Sequence, residues 1–100
     1  MSDGQVVPWH QAAKLVGQTI TAEGTIVDGH NTGSVCFLNF SRDTQAGFYV
    51  IIYKEALNSW PKPPQEYFLN KKIRVTGQVY TYKDRAQIRV RDGKQIEVVP

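Results

Sequence analysis

Two segments of the sequence place aromatic rings where solvent or a ligand would meet them. In 34–41 and 48–53 the side chains alternate between two rows, and the more apolar row, which contains Leu38 and Val50, predicts a buried face. Bases of nucleic acids gain about 1–3 kcal/mol each by stacking on exposed rings. The opposite row therefore predicts a surface for single-stranded nucleic acid, unless a helix, a loop or a second subunit covers it. Its members are Phe37, Asn39, Tyr49, Ile51 and Tyr53.

Basic residues that share the outward parity, or that lie in the loop between the last two strands, could line the edge of this surface. Residues 1–70 hold four basic and six acidic side chains, whereas 71–100 hold eight basic and three acidic ones, a net charge of +5. The phosphates of a nucleic acid require cations beside the stacking rings, although a solvated strand face would look the same one residue at a time. The candidate cations are Lys72, Arg74, Lys83, Arg85, Arg89 and Arg91.

Alternation of period two dominates from Thr19 onward and predicts an all-β protein in which each strand buries one row of side chains. The predicted strands are 19–27, 34–41, 48–53, 71–82 and a fifth, 86–91, that resumes as 95–99. The rows predicted to be buried include Ile20, Ile26, Leu38, Phe40, Val50, Ile52, Ile73, Val75, Val79, Ile88 and Val90.

Two short helices and a bend complete the predicted architecture. One helix is expected within 8–16, and a second is expected in 54–60, between the third and fourth strands, where prolines follow. Gly77, in the middle of the fourth strand, predicts the sharp bend that a closing barrel needs. These features predict a five-stranded Greek-key barrel at 9–100 after a flexible N-terminus at 1–8. An SH3-like barrel is the main alternative.

Three segments carry a resemblance to a known family. They are 37–43 (Phe-Leu-Asn-Phe-Ser-Arg-Asp), 48–52 and 70–77 (Asn-Lys-Lys-Ile-Arg-Val-Thr-Gly). They resemble the nucleic-acid-binding oligonucleotide/oligosaccharide-binding (OB) fold domains of the anticodon-binding type. They are also similar to the OB modules of bacterial DNA-binding and nuclease-associated proteins. The resemblance extends over 9–99 and implies an OB-fold barrel.

The resemblance also implies roles for individual residues. Phe37 corresponds to the base-stacking aromatic residue of the second strand, and Arg42 to the basic residue that follows it. In the anticodon-binding pattern the arginine follows the leucine directly, whereas here Ser41 precedes Arg42, so we do not infer recognition of an aminoacyl-tRNA. The residues that lie where such domains have their binding loops are His30, Asn31, Tyr82, Lys83 and Arg85.

The sequence shows no constellation that supports catalysis, a cofactor or a metal. Asp28 and His30 lack a third ligand, and Cys36, the single cysteine, lies on a buried row. A nucleophile with a positioned base is not recognisable. We therefore expect a protein that is not an enzyme and binds no cofactor. One cysteine, no signal-like segment and no apolar run long enough for a bilayer favour the cytoplasm, without a membrane partner.

The leading hypothesis is a largely sequence-tolerant binding module for single-stranded DNA or RNA. It would act alone or as an accessory domain of a larger nuclease or repair protein, through electrostatic attraction and stacking. The alternative is a protein-interaction OB module without nucleic-acid binding, which would use a strand edge or the face with Tyr49 and Tyr53. Oligosaccharide binding is a third hypothesis, since sugars also stack on rings, but it leaves the cations without a role.

Overall fold

The computed structural model describes residues 6–41 and 48–99, and most of them lie in short strands. The helices are α1 (Trp9–Ala12) and α2 (Pro64–Tyr67), and two single 3₁₀ turns occupy Lys54–Ala56 and Gly93–Gln95. None of the helices in the described ranges is long and apolar enough to cross a membrane. The strands are β1 (Val6–Pro8), β2 (Thr19–Thr25), β3 (Asp28–Asn31), β4 (Val35–Asn39), β5 (Phe48–Tyr53), β6 (Lys72–Tyr82), β7 (Arg85–Val90) and β8 (Ile96–Val98).

The strands form one mixed sheet in the order β1-β2-β6-β7-β5-β4-β3, and β8 also pairs with β6. The pairs are antiparallel except β1 with β2 and β5 with β7. Only Ile26 and Val27 separate β2 from β3 in the chain, yet β2 pairs with β6 and β3 pairs with β4. β2 and β3 are thus nearly continuous in the chain but lie against different neighbours, β6 and β4. The sheet must therefore curl strongly between them.

The prediction of a closed barrel of five strands differs from this architecture. The described residues form eight strands in an open sheet path. The first predicted strand, 19–27, ends as β2 at Thr25, and the segment with His30 and Asn31, where the resemblance implies a loop, instead forms β3. At Ile26 and Val27 the backbone changes its partner. The Ile26 N–H donates to the Lys71 carbonyl at 3.0 Å, and the Val27 N–H donates to the Asn39 carbonyl at 3.0 Å. The mostly β character agrees with the prediction.

The two ends of the domain compare differently with the prediction. The predicted interruption of the fifth strand is present, because the 3₁₀ turn at Gly93–Gln95 separates β7 from β8. The predicted flexible N-terminus, 1–8, includes Val6–Pro8, which pair as β1 with β2. A three-residue strand with one buried side chain leaves too short an alternation to be recognised in the sequence. Residues 1–5 lie outside the described part of the chain.

The helices are shorter than predicted, and one begins elsewhere. α1 covers four residues of the predicted 8–16, and 54–60 contains a 3₁₀ turn in place of an α-helix. The α-helix between β5 and β6 begins at Pro64, after the extended Pro63 (φ −54°, ψ 141°). A proline at the first helical position loses no hydrogen bond. The prolines therefore do not only end the preceding segment, as predicted, because Pro64 also begins α2.

The predicted buried rows are confirmed, since none of their eleven members is more than 4% exposed. The register pairs Leu38 with Val50 and Val50 with Ile88, so these side chains enter the core from adjacent strands. A shift of one residue would turn every row to the opposite side of the sheet. The buried rows therefore also establish which side chains lie on the outer side of β4, β5 and β7.

β6 changes its partner along its length. Residues 72–78 pair with β2, and 79–82 pair with β7. Gly77 lies at this change, where the sequence predicts a bend, and a Cβ atom there would come within 2.8 Å of Ile88 Cγ2. Only glycine allows β7 to approach so closely. The two halves of β6 therefore carry their outward side chains to different parts of the surface.

The turn between β6 and β7 consists of Lys83 and Asp84, and both have positive φ angles, 51° and 65°. Two consecutive residues of this kind form a type I′ turn, which strongly favours Asn-Gly. A lysine in the left-handed region is disfavoured by contacts of its Cβ atom. The turn is therefore locally strained by its sequence.

Replacing this turn with Asn-Gly, by Lys83→Asn together with Asp84→Gly, should raise the free energy of unfolding by about 1 kcal/mol. Urea unfolding measures the change. Asn70→Gly is the matched control, because Asn70 also has a positive φ of 65° but asparagine already tolerates it. The control should gain less, and a double variant no more stable than the original chain would contradict the assignment of strain.

Candidate nucleic-acid interface

Side chains on the solvent side of β4, β5, β7 and the end of β6 form one continuous surface, the outer face. The register pairs Phe37 with Ile51, and Ile51 with Arg89. On the other side of β7 it pairs Gln87 with Tyr80. Directly paired residues point to the same side of a sheet, so these rows are neighbours. The outer face comprises Phe37, Asn39, Tyr49, Ile51, Tyr53, Tyr80, Tyr82, Arg85, Gln87 and Arg89.

Arginines of β7 lie over tyrosine rings of the neighbouring strands. The guanidinium carbon of Arg85 is 4.4 Å from the ring centroid of Tyr49, and that of Arg89 is 4.1 Å from the ring centroid of Tyr80. At these distances a cation is attracted to the ring face. Arg85 and Tyr49, predicted as separate parts of a binding surface, are therefore in direct contact, whereas Arg89 contacts Tyr80, which was not predicted.

Tyr49 is covered, although the sequence predicts a solvent-facing ring. Tyr49 is only 5% exposed, because Arg85 lies over its ring and Phe37 packs beside it at a centroid distance of 5.8 Å. The buried Gln87 donates a hydrogen bond of 2.9 Å from Nε2 to the Tyr49 hydroxyl. Burial raises the pKa of the Tyr49 phenol above its ordinary value. The outward parity is correct, but neighbouring side chains occupy the space expected for a base.

Two adjoining depressions mark the outer face, with volumes of about 250 and 270 Å³. Phe37 and Tyr49 line both of them and form the wall between them. Phe37 is half-buried and keeps part of its ring open to solvent. The first depression adds His30, Asn39 and Arg85, and the second adds Ile51, Tyr53, Tyr82, Gln87 and Arg89.

Arg85 and Arg89 have no carboxylate partner among the described residues. Arg89 Nε donates to the side-chain oxygen of Gln87 at 3.4 Å. Arg85 Nε is buried without a hydrogen-bond partner in the described part of the chain. Both guanidinium groups therefore lie on the outer face without a neutralising carboxylate from any described residue.

Lys72 and Arg74 are separated from the other predicted cations. Both lie on the half of β6 that pairs with β2, at the opposite end of this eleven-residue strand from Tyr82. Arg74 Nε donates to Glu23 Oε2 at 2.8 Å, and Lys72 Nζ lies 3.5 Å from Glu23 Oε1. Neither lines a depression of the outer face. The single groove expected from parity therefore does not include them.

The other predicted cations have different surroundings. Arg91 lies over the Tyr53 ring at 4.3 Å and also forms an exposed ion pair with Glu55 at 3.4 Å. Lys83 is exposed at the tip of the β6–β7 turn, with its Nζ atom 5.5 Å from the Tyr82 ring centroid. Arg42 lies outside the described residues.

Gln87 and Tyr80 belong to the outer face but were absent from the predicted set. Their outward parity was visible in the alternation of the last two predicted strands. Their contacts were not, because they depend on the register between β5, β7 and β6. Gln87 is neither aromatic nor basic, so its residue type gave no sign that it donates a hydrogen bond to the Tyr49 hydroxyl.

The structure offers little for metal or thiol chemistry. Within 6–41 and 48–99 no three His, Cys, Asp or Glu side chains are grouped so that they could hold a metal ion. Cys36 is buried, and this burial raises the pKa of its thiol to about 11. Such a thiol is almost entirely protonated at neutral pH and is a poor nucleophile.

The ion pairs of Glu23 should make stability depend on pH. The hydrogen bond from Arg74 is the main cause that lowers the pKa of Glu23 from 4.5. Its contribution is present above pH 4.5 and is lost as the pH falls through the lowered pKa. Urea unfolding at a series of acidic pH values should therefore show a steeper loss of stability for the original chain than for Glu23→Gln. Parallel curves would contradict this role.

Glu66→Gln is the matched control for this experiment. Glu66 lies on α2, is exposed, and forms no ion pair with any described residue. The control should keep the acid dependence of the original chain.

Comparisons with known proteins identify similar structures only. No protein-family model and no curated protein matches the sequence. Asparaginyl-tRNA synthetase from Pyrococcus horikoshii matches with a TM-score of 0.61 and 18% identity, over 93% of this chain and only 22% of the synthetase. An OBody bound to hen egg-white lysozyme matches with a TM-score of 0.62 and 17% identity, over 99% of this chain and 98% of the OBody.

A third similar structure is named for the fold itself. The OB domain of a Methanosarcina mazei protein matches with a TM-score of 0.55 and 21% identity, over 84% of this chain and 74% of that domain. Identities this low establish a shared fold and nothing more specific. Together with the curled, mostly β sheet, they show that this chain has an OB fold, as the resemblance in its sequence implies.

Proposed function

We propose that this OB domain binds single-stranded nucleic acid, DNA or RNA, largely without regard to sequence, and catalyses no reaction. It would work alone or as an accessory domain of a larger nuclease or repair protein. The observation that carries the proposal is the pairing of arginines with tyrosines on the outer face. Arg85 and Arg89 lie there over rings, without acidic partners among the described residues.

The outer face offers two kinds of flat surface for bases. Phe37 presents an open part of its ring, and the guanidinium planes of Arg85 and Arg89 cover Tyr49 and Tyr80. Bases stack on arginine planes as well as on aromatic rings. Tyr49 would thus act as a positioning residue that supports Arg85, and Phe37 would be the ring in direct contact with a base.

The cations of the outer face would bind the phosphates. Arg85 and Arg89 form no ion pair with any described residue, and Lys83 extends from the tip of the adjacent turn. Such contacts release counterions and do not discriminate between bases, which favours sequence-tolerant binding. Lys72 and Arg74 would contribute little, because Glu23 already neutralises part of their charge.

The similar structures support both this proposal and its alternative. One is a tRNA synthetase, a protein named for a nucleic-acid substrate. Another, the OBody, is bound to lysozyme, so this fold also serves as a protein-binding surface. A protein-interaction module would use the same apolar rings but would depend far less on salt.

Salt dependence provides the decisive test. Arg85→Ala and Arg89→Ala should each weaken binding of labelled oligo-dT or oligo-U. Each should also make the slope of log affinity against log salt shallower by about 0.7, the value for one contact with a single strand. Fluorescence anisotropy at several salt concentrations measures both effects.

Arg74→Ala is the matched control, since it removes the same side chain from the half of β6 that pairs with β2. It should leave the slope unchanged. An unaffected slope in a variant with both Arg85→Ala and Arg89→Ala would exclude the outer face as the phosphate-binding site. A complete absence of binding would favour the protein-interaction alternative.

Phe37 tests the stacking part of the proposal. Phe37→Ala should cost about 1–3 kcal/mol of binding free energy, whereas Phe37→Trp should be tolerated because the ring face is retained. The thermal midpoint should change little, since Phe37 is only half-buried.

The fully buried neighbour Leu38 supplies the contrast. Leu38→Ala should lower the free energy of unfolding by about 2–5 kcal/mol. If Phe37→Ala leaves oligonucleotide affinity unchanged while the protein stays folded, the outer face binds no base at this position.

A further inference from the structure

A third depression lies beside the edge strand β3, on the side away from the outer face. Its volume is about 340 Å³, larger than either depression of the outer face. The segment before α2 supplies one wall, and the end of β3 with the following turn supplies the other. The residues that matter for its chemistry are Asn31, Gly33, Asn58, Trp60, Lys62 and Pro63.

This depression is preformed. The ring of Trp60 packs edge-on against the buried Phe68, with centroids 5.0 Å apart and planes at 78°. Pro63 restricts the backbone beside it, and Asn31 Nδ2 donates a hydrogen bond of 3.1 Å to Gln65 Oε1 on α2. Little conformational freedom would be lost on binding, because the walls are already held in place.

The side chains around this depression match the parts of a nucleotide. Trp60 is half-buried, and its indole lines the depression, where a base could stack on it. Asn58 is exposed and offers an amide donor and acceptor for a base edge or a sugar hydroxyl. Lys62 is exposed, and its ammonium group forms no ion pair with any described residue. A ring, an amide and a free cation are the groups that a base, a sugar and a phosphate require.

The depression is adjacent to the proposed path of the nucleic acid. His30 lines the first depression of the outer face, and Asn31, the next residue of β3, lines the third depression. Successive side chains of a strand point to opposite sides, so the two surfaces meet at the edge of β3. At the following turn, Gly33 has open space where a side chain would project. A flexible chain leaving the outer face could pass over this turn into the depression.

We propose that the third depression is a second subsite, which takes a nucleotide from the same single strand that the outer face binds. The inference rests on the proposed function. It makes the binding site longer than the outer face, with Trp60 as the stacking residue and Lys62 as the phosphate contact. Short oligonucleotides would occupy the outer face alone, and longer ones would fill both sites.

Tryptophan fluorescence can report this subsite directly, because the chain has only two tryptophans. Trp9 lies elsewhere, stacked on Phe40 at a centroid distance of 5.7 Å. In Trp9→Phe the remaining signal comes from Trp60, and in Trp60→Phe it comes from Trp9. Labelled oligo-dT of increasing length, from about 4 to 16 nucleotides, covers the range of binding-site sizes of single OB domains. Anisotropy of the label would measure binding while tryptophan emission measures occupancy of the subsite.

Short oligonucleotides should bind without changing Trp60 emission, and longer ones should quench it. Trp60→Phe should lose this length-dependent quenching in comparison with the original chain. Lys62→Ala should weaken the longer oligonucleotides about three- to fivefold and leave the short ones unchanged. Lys14→Ala removes the same charge from a lysine that lines none of the three depressions, and it should have no length-dependent effect.

The outcomes separate this inference from the proposed function. If long oligonucleotides bind but leave Trp60 emission and the Lys62→Ala affinity unchanged, the subsite is excluded and the proposed function stands. If short oligonucleotides quench Trp60 as strongly as long ones, the proposal that short oligonucleotides occupy the outer face alone is wrong. If no oligonucleotide binds at any length, both the proposed function and the subsite are wrong.

Discussion

The change of partner along β6 is the constraint on which the rest of the surface depends. At Gly77 a side chain would collide with Ile88, so the close approach of β7 requires the missing Cβ atom. Before this point the outward residues of β6 face β2, and after it they face β7. One strand thus places Arg74 against the carboxylate of Glu23 and Tyr80 against the guanidinium of Arg89. Beside the first half of β6 the cation is neutralised by Glu23, whereas beside the second half Arg89 of β7 has no carboxylate partner among the described residues.

Contacts between arginine and tyrosine combine charge with apolar area on the outer face, as the proposed function requires. A guanidinium over a ring covers apolar area and remains charged, at a gain of about 0.5–1 kcal/mol where the pair is exposed. Stacking of a base is worth about 1–3 kcal/mol, so a nucleic acid can add to these contacts or displace them. The hydrogen bond between Gln87 and Tyr49 fixes the ring beneath Arg85. Flat surfaces are therefore organised before a ligand arrives, which reduces the entropy lost on binding.

The sequence was informative wherever a property depends on neighbours along the chain. Period-two alternation predicted the buried rows correctly, and with them the side of the sheet on which Phe37 and Arg89 lie. It could not predict that Arg85 covers Tyr49, because the two residues are brought together by the parallel pairing of β5 and β7. The pairing of Arg74 with Glu23 is similarly non-local, since it joins residues 51 positions apart. Register between distant strands, rather than parity within one strand, decides which cations are free.

Under the proposed function, the β6–β7 turn gives up some stability for a residue that can contact the ligand. Asn-Gly is the favoured sequence for its backbone, yet Lys83 and Asp84 occupy the two left-handed positions. An observed departure from the favoured conformation supports a hypothesis of function at the same place. Lys83 extends a cation beyond the ring of Tyr82, which lines the outer face, and an asparagine there would remove that charge. The local cost in folding free energy is thus offset, under the proposed function, by a phosphate contact at the rim of the site.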